Sequence, residues 1–260
     1  MRVLLLGATG NLGSRTIPTL LAHGHNVTAF VRSDTKLRSL LTSELYNMIE
    51  VSIGDAGNTE DVYLALKEHS CDCLITTAKI GEPFGHDARL GTFATAISTA
   101  AIKLGRDRGK PLRAWFMGGL GSLEYPGTGG WQIQDYMAGW MTAHHRVIER
   151  IVKAIDVEDL EWTLLCVPGM RPKSADIGVP DGPRKHGLVT AVGRPPAWEA
   201  SWVRSVPLVG VYLNLVPVIM GYMAQLEDVA ELIAEHLDRE EFVGKLVGFK
   251  KDPKQPSKDN

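Results

Sequence analysis

The sequence is poor in cysteine. Three in 260 residues cannot build a complete disulfide framework, so no disulfide-stapled secreted scaffold is expected. Cys71 and Cys73 would share one face of a strand, but no third or fourth ligand stands near them in sequence, which makes a poor zinc site. They read as small buried residues, and no metal is expected. No charge of one sign dominates either: 28 basic residues face 30 acidic ones, and a formal net charge of -2 gives no electrostatic footprint for nucleic acid. Nothing before Val3 resembles a signal peptide, and a cytoplasmic, reducing setting is expected. No internal repeat and no G-x-S-x-G nucleophile elbow occurs, which sets a Ser–His–acid hydrolase low.

One long run lacks charge altogether. Residues 206–223 approach transmembrane length, yet Pro207, Gly210, Asn214, Pro217 and Gly221 interrupt them and a soluble-type element follows. No membrane span is expected, and the run is assigned to core, pocket wall or subunit contact, the last leaving a homodimer open. Residues 250–260 alternate lysine with proline and aspartate and read as a polar, solvated tail.

What is present is an alternation of short apolar runs with amphipathic stretches, the βαβ pattern of a parallel sheet. Strands are expected near residues 3–6, 27–31, 48–53, 74–77, 114–117, 162–167 and 242–249. Helices are expected near 12–22, from Asn58 or Thr59, over 88–104 with Gly105 as its stop, over 135–155, and over 225–237. Between 171 and 224, prolines and glycines replace the alternation. The expected fold is α/β, a Rossmann-type doubly wound parallel sheet with helices on both faces. Residues 1–249 form one domain in which 171–224 are a C-terminal substrate-binding elaboration.

The first βα turn carries the chemistry. Gly7-Ala8-Thr9-Gly10-Asn11-Leu12-Gly13 follows a strand and opens a helix, the context a dinucleotide fingerprint requires. Gly7 permits the tight turn, Gly10 the approach of backbone to pyrophosphate, and Gly13 close packing of helix on strand. Thr9 lies in the turn, and the amides of Asn11 and Leu12 face the phosphates where the helix dipole favours anions. At the end of the second strand stands Val31-Arg32-Ser33, where an acidic residue would bind a ribose 2′-hydroxyl and an arginine favours a 2′-phosphate. Arg32 and Ser33, with Lys36 and Arg38 nearby, point to NADPH; Asp34 blurs the choice and keeps NADH as the alternative. Thr77 ends the fourth strand. Gly118 and Gly119 end the fifth, where glycine lets a nicotinamide ring approach the backbone.

The spacing of Gly7, Gly10 and Gly13 resembles that of extended and atypical short-chain dehydrogenases. Gly54-Asp55, the run from Trp115 to Glu124, Glu149, residues 161–165 with Pro168-Gly169, and Glu227-Asp228-Val229-Ala230 are similar to landmarks of their NmrA-like, NAD(P)H-binding, flavin-reductase-like branch. The resemblance implies an adenine contact at Asp55. It covers most of the chain and thins between Arg171 and Ala224. It also exposes an absence: counting back from Glu149, the positions of the Tyr-x-x-x-Lys dyad hold Met141 and His145, and the nearby Tyr136 is followed four residues later by Trp140.

The leading reading is an NADPH-dependent reductase passing hydride to a conjugated acceptor such as a flavin, quinone, enone or secondary metabolite, which needs little acid assistance. His145, in the lysine place, is the first candidate proton donor and a structural histidine the alternative. Ser122 either donates a hydrogen bond or stabilises its loop, Tyr136 is a third candidate, and His86 is a minor pocket candidate. Aromatic residues (Trp131, Tyr136, Trp140, Trp198, Trp202, Tyr212, Tyr222) suit a hydrophobic small-molecule substrate, with at least half of them expected in the core. A nonredox isomerase or cyclase on the same fold, and an NAD(P)-sensing regulator, stay open.

Overall fold

Four consecutive apolar residues at the start of the chain can be buried only if both faces of their strand are covered, and helices on both sides of a parallel sheet do that. In the computed structural model, described for residues 1–78, 89–178, 182–198, 202, 206 and 209–252, they lie in β1 (Arg2–Leu6). The chain continues through α1 (Asn11–Ala22), β2 (Asn26–Val31), α2 (Asp34–Leu40), α3 (Ser43–Asn47), β3 (Glu50–Ile53), α4 (Thr59–Glu68), β4 (Cys73–Thr76) and α5 (Arg89–Arg108). There follow β5 (Leu112–Gly119), α6 (Gly139–Lys153), β6 (Leu160–Val167), β7 (Gly169–Arg171) and β8 (Leu188–Val192). Last come α7 (Gly210–Gly221), β9 (Met223–Gln225), α8 (Leu226–His236) and β10 (Lys245–Lys251). His86 and residues 253–260 of the expected tail lie outside the described residues.

The main sheet runs β3-β2-β1-β4-β5-β6-β10-β8 and is parallel except for β8, which pairs antiparallel with β10. Successive strand residues point to opposite faces. Val3 and Leu5 therefore join α1 and α8 in one core, while Leu4 and Leu6 join α4, α5 and Val152 of α6 in the other. Helices on both faces and the 3-2-1-4-5-6 order are those of a doubly wound Rossmann sheet. The strand order reverses between β1 and β4, which puts a crevice at the carboxyl ends of these two parallel strands.

Several boundaries differ from the sequence reading. Helix α5 runs through Gly105 and stops only where Gly109 takes φ +69°. The expected helix at 135–155 is two elements. A 3₁₀ turn over Ile133–Tyr136 is closed by Asp135, which accepts from the Gln132 amide at 2.8 Å; the chain then extends at Met137 and Ala138 before α6 begins. The uncharged run yields α7, whose 12 residues span about 18 Å, short of a bilayer core. No helix among the described residues is long and apolar enough to cross a membrane. Cys71, Cys73 and Cys166 are free and buried, and burial is the main cause that pushes the Cys71 thiol up to about 12.

The irregular region contains β7, β8, α7 and β9, and β7 pairs with β9 outside the main sheet. This small ladder is strapped to the first helix. Arg15 of α1 reaches Glu227 of α8 at 2.7 Å and the Ser174 carbonyl at 2.5 Å, while the Lys173 amide donates to Glu227 at 2.8 Å. The strap holds the segment after β7 beside the β1–α1 turn.

Candidate functional site

A cleft of about 680 Å³ opens at the crevice between β1 and β4. Its floor is the Gly7–Gly10 turn, closed by the Gly10 amide donating to the Gly7 carbonyl at 2.8 Å. Gly7 sits at φ +82°, and a Cβ there would meet the Ala78 amide nitrogen at 2.5 Å. At Gly13 a Cβ would collide with the Gly7 carbonyl and stand 2.7 Å from Thr77 Oγ1. A side chain at either place would force the turn off the strand ends. Gly10 caps α1 without a side-chain hydrogen bond, and no acidic residue stands in the helix's first turn. The amides there are left to an anion, which the dipole favours.

Of the residues singled out in the sequence, Gly7, Thr9, Gly10, Asn11, Leu12, Arg32, Asp55 and Thr77 line this cleft. Gly13 lies beneath its floor, and Ser33 caps α2 in an exposed position. Thr77 is held by its hydroxyl donating to the Leu6 carbonyl at 3.0 Å. The Asp55 turn is preformed: its amide donates to Asp61 and its carboxylate accepts from the Gly57 amide, both at 2.9 Å.

The Arg32 and Lys36 side chains are exposed, line the cleft, and have no hydrogen-bond or ion-pair partner among the described residues. Asp34, between them in sequence, does not line it. Its two oxygens are taken by Arg38 Nε at 2.6 Å and the Tyr46 hydroxyl at 2.8 Å. Those two bonds hold the Asp34 carboxyl below its ordinary value.

The cleft also contains groups the sequence reading did not single out: Phe30, Ala78, Phe93, Met170, Pro172 and Leu226. Met170 and Pro172 follow β6 directly, so the rule that ligands gather at carboxyl strand ends would have found them. Leu226 arrives through the β7–β9 pairing, which no local signal announces. A recess of about 30 Å³ shares Ala78 and Phe93 with the cleft and reaches Met117 on β5 and Ile148 on α6.

The candidates at the β5 end stand apart from the cleft. None of Gly118, Gly119, Ser122, Tyr136 and His145 lines it among the described residues. Gly119 and His145 are nonetheless brought together: a Cβ on Gly119 would meet the imidazole at 2.5 Å, so glycine there makes room for the ring. Burial, helped by His144 whose ring lies 3.7 Å away, pulls the His145 pKa down to about 4. Its Nδ1 is buried without a hydrogen-bond partner among the described residues. The ring is thus neutral near pH 7, where a neutral imidazole is a poor acid. Ser122 is buried in a 3₁₀ turn, and its hydroxyl has no hydrogen-bond partner among the described residues.

Tyr136 packs edge-on against Tyr125 at 5.3 Å and Tyr212 at 5.7 Å. Tyr125 meets Trp198 at 5.0 Å and donates to the Val211 carbonyl at 2.9 Å. These rings pin α7 to the loop before α6 and do not wall the cleft. Trp131, Trp140, Trp202 and Tyr212 are exposed and only Tyr222 of the seven is buried, so fewer than half of these aromatics belong to the core.

A turn that only glycine can make, an uncapped helix amino end and a cleft at the strand-order reversal form a dinucleotide cradle. The NAD(P)H-binding family's profile matches residues 7–188, well over half of the sequence. The chain belongs to that family. The assignment bears out the resemblance read from Gly7, Gly10 and Gly13. A comparison with curated proteins finds no match by sequence.

Solved structures agree on the fold. A Streptococcus pneumoniae protein named as a candidate NADH-flavin reductase superposes with TM-score 0.62 at 16% identity, covering 96% of this chain and 99% of that one. The anaerobilin reductase ChuY of Escherichia coli O157:H7 gives 0.59 at 15%, covering 99% and 100%. A Veillonella parvula short-chain dehydrogenase/reductase in complex with NADP gives 0.59 at 16%, covering 98% and 95%. At such identities the likeness speaks for the fold alone.

Proposed function

We propose that the protein is an NADPH-dependent reductase that delivers hydride to a bulky, conjugated, largely apolar acceptor without a Tyr-x-x-x-Lys dyad. The observation that carries the cofactor choice is the pair of open cations, Arg32 and Lys36, on the cleft wall with the intervening carboxylate turned away. A ribose 2′-phosphate suits that wall, because it would form charge-assisted bonds to both cations. In this reading Gly7, Thr9, Gly10, Asn11, Leu12 and Gly13 cradle the pyrophosphate, and Ser33 adds a hydroxyl beside Arg32. Asp55 lies at the adenine end, and Thr77, Gly118 and Gly119 lead to the nicotinamide end. When bound, the cofactor supplies the hydride.

The chain's own contribution is to bind, orient and keep water out. Met170, Pro172 and Leu226 give the cleft apolar cover that the Arg15–Glu227 strap holds in place. Gly119 and the neutral His145 ring shape the β5 end as a wall, not as an ionised acid. A ketone reductase needs an acid at the carbonyl oxygen. An acceptor that spreads the incoming charge over a conjugated system takes its proton from water. The names of two similar structures, a candidate flavin reductase and an anaerobilin reductase, fit acceptors of that kind. Residues 171–224 are assigned to the substrate side, and a cytoplasmic setting suits an NADPH enzyme.

The test is to incubate the protein with NADPH and a panel of flavins, quinones, enones and simple ketones, following absorbance loss of the reduced nicotinamide. Oxidation with the conjugated acceptors and none with simple ketones is expected. Tight NADPH binding with no oxidation by any acceptor would contradict the reading, and product formed without cofactor turnover would favour an isomerase or cyclase.

A further inference from the structure

An acidic side chain just beyond β2 normally selects against a 2′-phosphate, by repulsion and by accepting from a 2′-hydroxyl. This chain has one, Asp34, two residues after Arg32 and two before Lys36. We infer that Tyr46 and Arg38 are positioning residues for cofactor selection: by anchoring Asp34 outside the cleft they keep the wall formed by Arg32 and Lys36 open to a phosphate. The inference rests on the NADPH reading given above.

Both Asp34 oxygens are engaged, Oδ2 by Arg38 Nε and Oδ1 by the Tyr46 hydroxyl. The Arg38 guanidinium also lies 4.2 Å from the Tyr46 ring centroid, so the three side chains hold one another. An i,i+4 pair on a surface helix is a weak restraint by itself. Tyr46 adds a restraint from outside that helix. It stands on α3, packs against the core beside buried Leu45, and follows an amino-terminal cap in which Thr42 Oγ1 accepts from the Leu45 amide at 3.3 Å. The Asp34 side chain is 26% exposed and that of Arg38 61%, so the anchored carboxylate is the more covered member of the pair. Released, Asp34 retains its charge and gains the freedom to turn toward the cations on either side, which would compete with the phosphate.

The experiment measures dissociation constants for NADPH and NADH by fluorescence titration in wild type, Tyr46→Phe, Arg38→Gln, Asp34→Asn and the double variant Asp34→Asn/Tyr46→Phe, with a melting curve for each. The wild type should prefer NADPH. Tyr46→Phe, which changes no charge, should lower the NADPH:NADH affinity ratio roughly three- to tenfold, the size of one added carboxylate charge near a phosphate in a screened setting. In the Asp34→Asn background the same substitution should move the ratio by less than about twofold, because an independent Tyr46 effect would add instead of vanishing. Arg38→Gln should lower the ratio in the same direction. A wild type that prefers NADPH with an unchanged ratio in Tyr46→Phe overturns the inference alone, as does a Tyr46→Phe effect that persists without Asp34. A wild type with no NADPH preference overturns the cofactor reading itself and the inference with it.

Discussion

The two stretches of the sheet's carboxyl edge are built on opposite plans. From β1 to β4 the edge offers bare backbone and open charge: a glycine turn, an uncapped helix end, and two cations facing a cleft of about 680 Å³. From β5 to β6 it is packed with uncharged groups: an imidazole pressed on Gly119, a buried serine hydroxyl, and aromatic rings set edge-on against one another. The first plan suits holding a large polyanion, because dipoles and cations act on charge without rearranging. The second suits bringing an apolar ring system close while offering it no ionised acid. On the function proposed above, binding and chemistry are divided between two electrostatic environments on one edge, and that division would separate this protein from dehydrogenases that place a charged lysine at the β5 end.

The comparison breaks most sharply at Gly13. An alanine there meets the Gly7 carbonyl, and overpacking of this kind costs about 1–3 kcal/mol, so NADPH affinity should fall roughly ten- to hundredfold. Titration checks it, and an unchanged affinity would mean that the cradle does not hold the phosphates.

Next in size is the strap. Burial opposes ionisation of Glu227, but the Lys173 amide, Arg15 and the Ser174 amide outweigh it and keep the carboxyl below its ordinary value. Its stabilisation is therefore fully present above the ordinary carboxylate range and is lost as pH falls through the depressed folded value. Glu227→Gln should lower stability by about 1–3 kcal/mol at neutral pH, read from melting curves, and should remove that acid sensitivity.

The neighbouring Asp228 predicts the reverse sign. Burial raises it from 3.8 to about 6, so the folded state loses stability as pH climbs between those values. Asp228→Asn should raise the melting temperature slightly at neutral pH and flatten the profile between those two values. A lower melting temperature would show that the charged form makes a bond worth more than its burial costs.

The smallest expected effect is on the neutral half of the edge. His145→Gln should change the rate modestly and leave the shape of its pH profile intact between about pH 6 and 9. Loss of a titrating limb near neutrality would restore the histidine as the acid.

The β1–β2 side of the cleft was legible in the sequence because each requirement is local. A turn with positive φ needs Gly7, a helix packed on a strand needs Gly13, and Arg32 follows directly from the end of β2. The strands were legible for a similar reason, since burial on both faces leaves unbroken apolar runs. The β5 end was legible only as candidates. That Gly119 and His145 meet was hidden, because 25 residues of loop and helix separate them and their packing is tertiary. Asp34 misled for the same reason: its charge shows in sequence, but its capture by Tyr46 twelve residues on does not. Residues 171–224 were opaque because their ladder is only three residues long on each side and pairs across more than fifty residues.

The most direct test of the central claim, that the β1–β4 edge is a phosphate-selective cradle, is a paired titration of wild type and Arg32→Glu with NADPH and NADH. Loss of a charge-assisted contact and introduction of a repulsive one should weaken NADPH about a hundredfold while NADH changes by less than about threefold. Equal losses for the two cofactors, or none for NADPH, would contradict it.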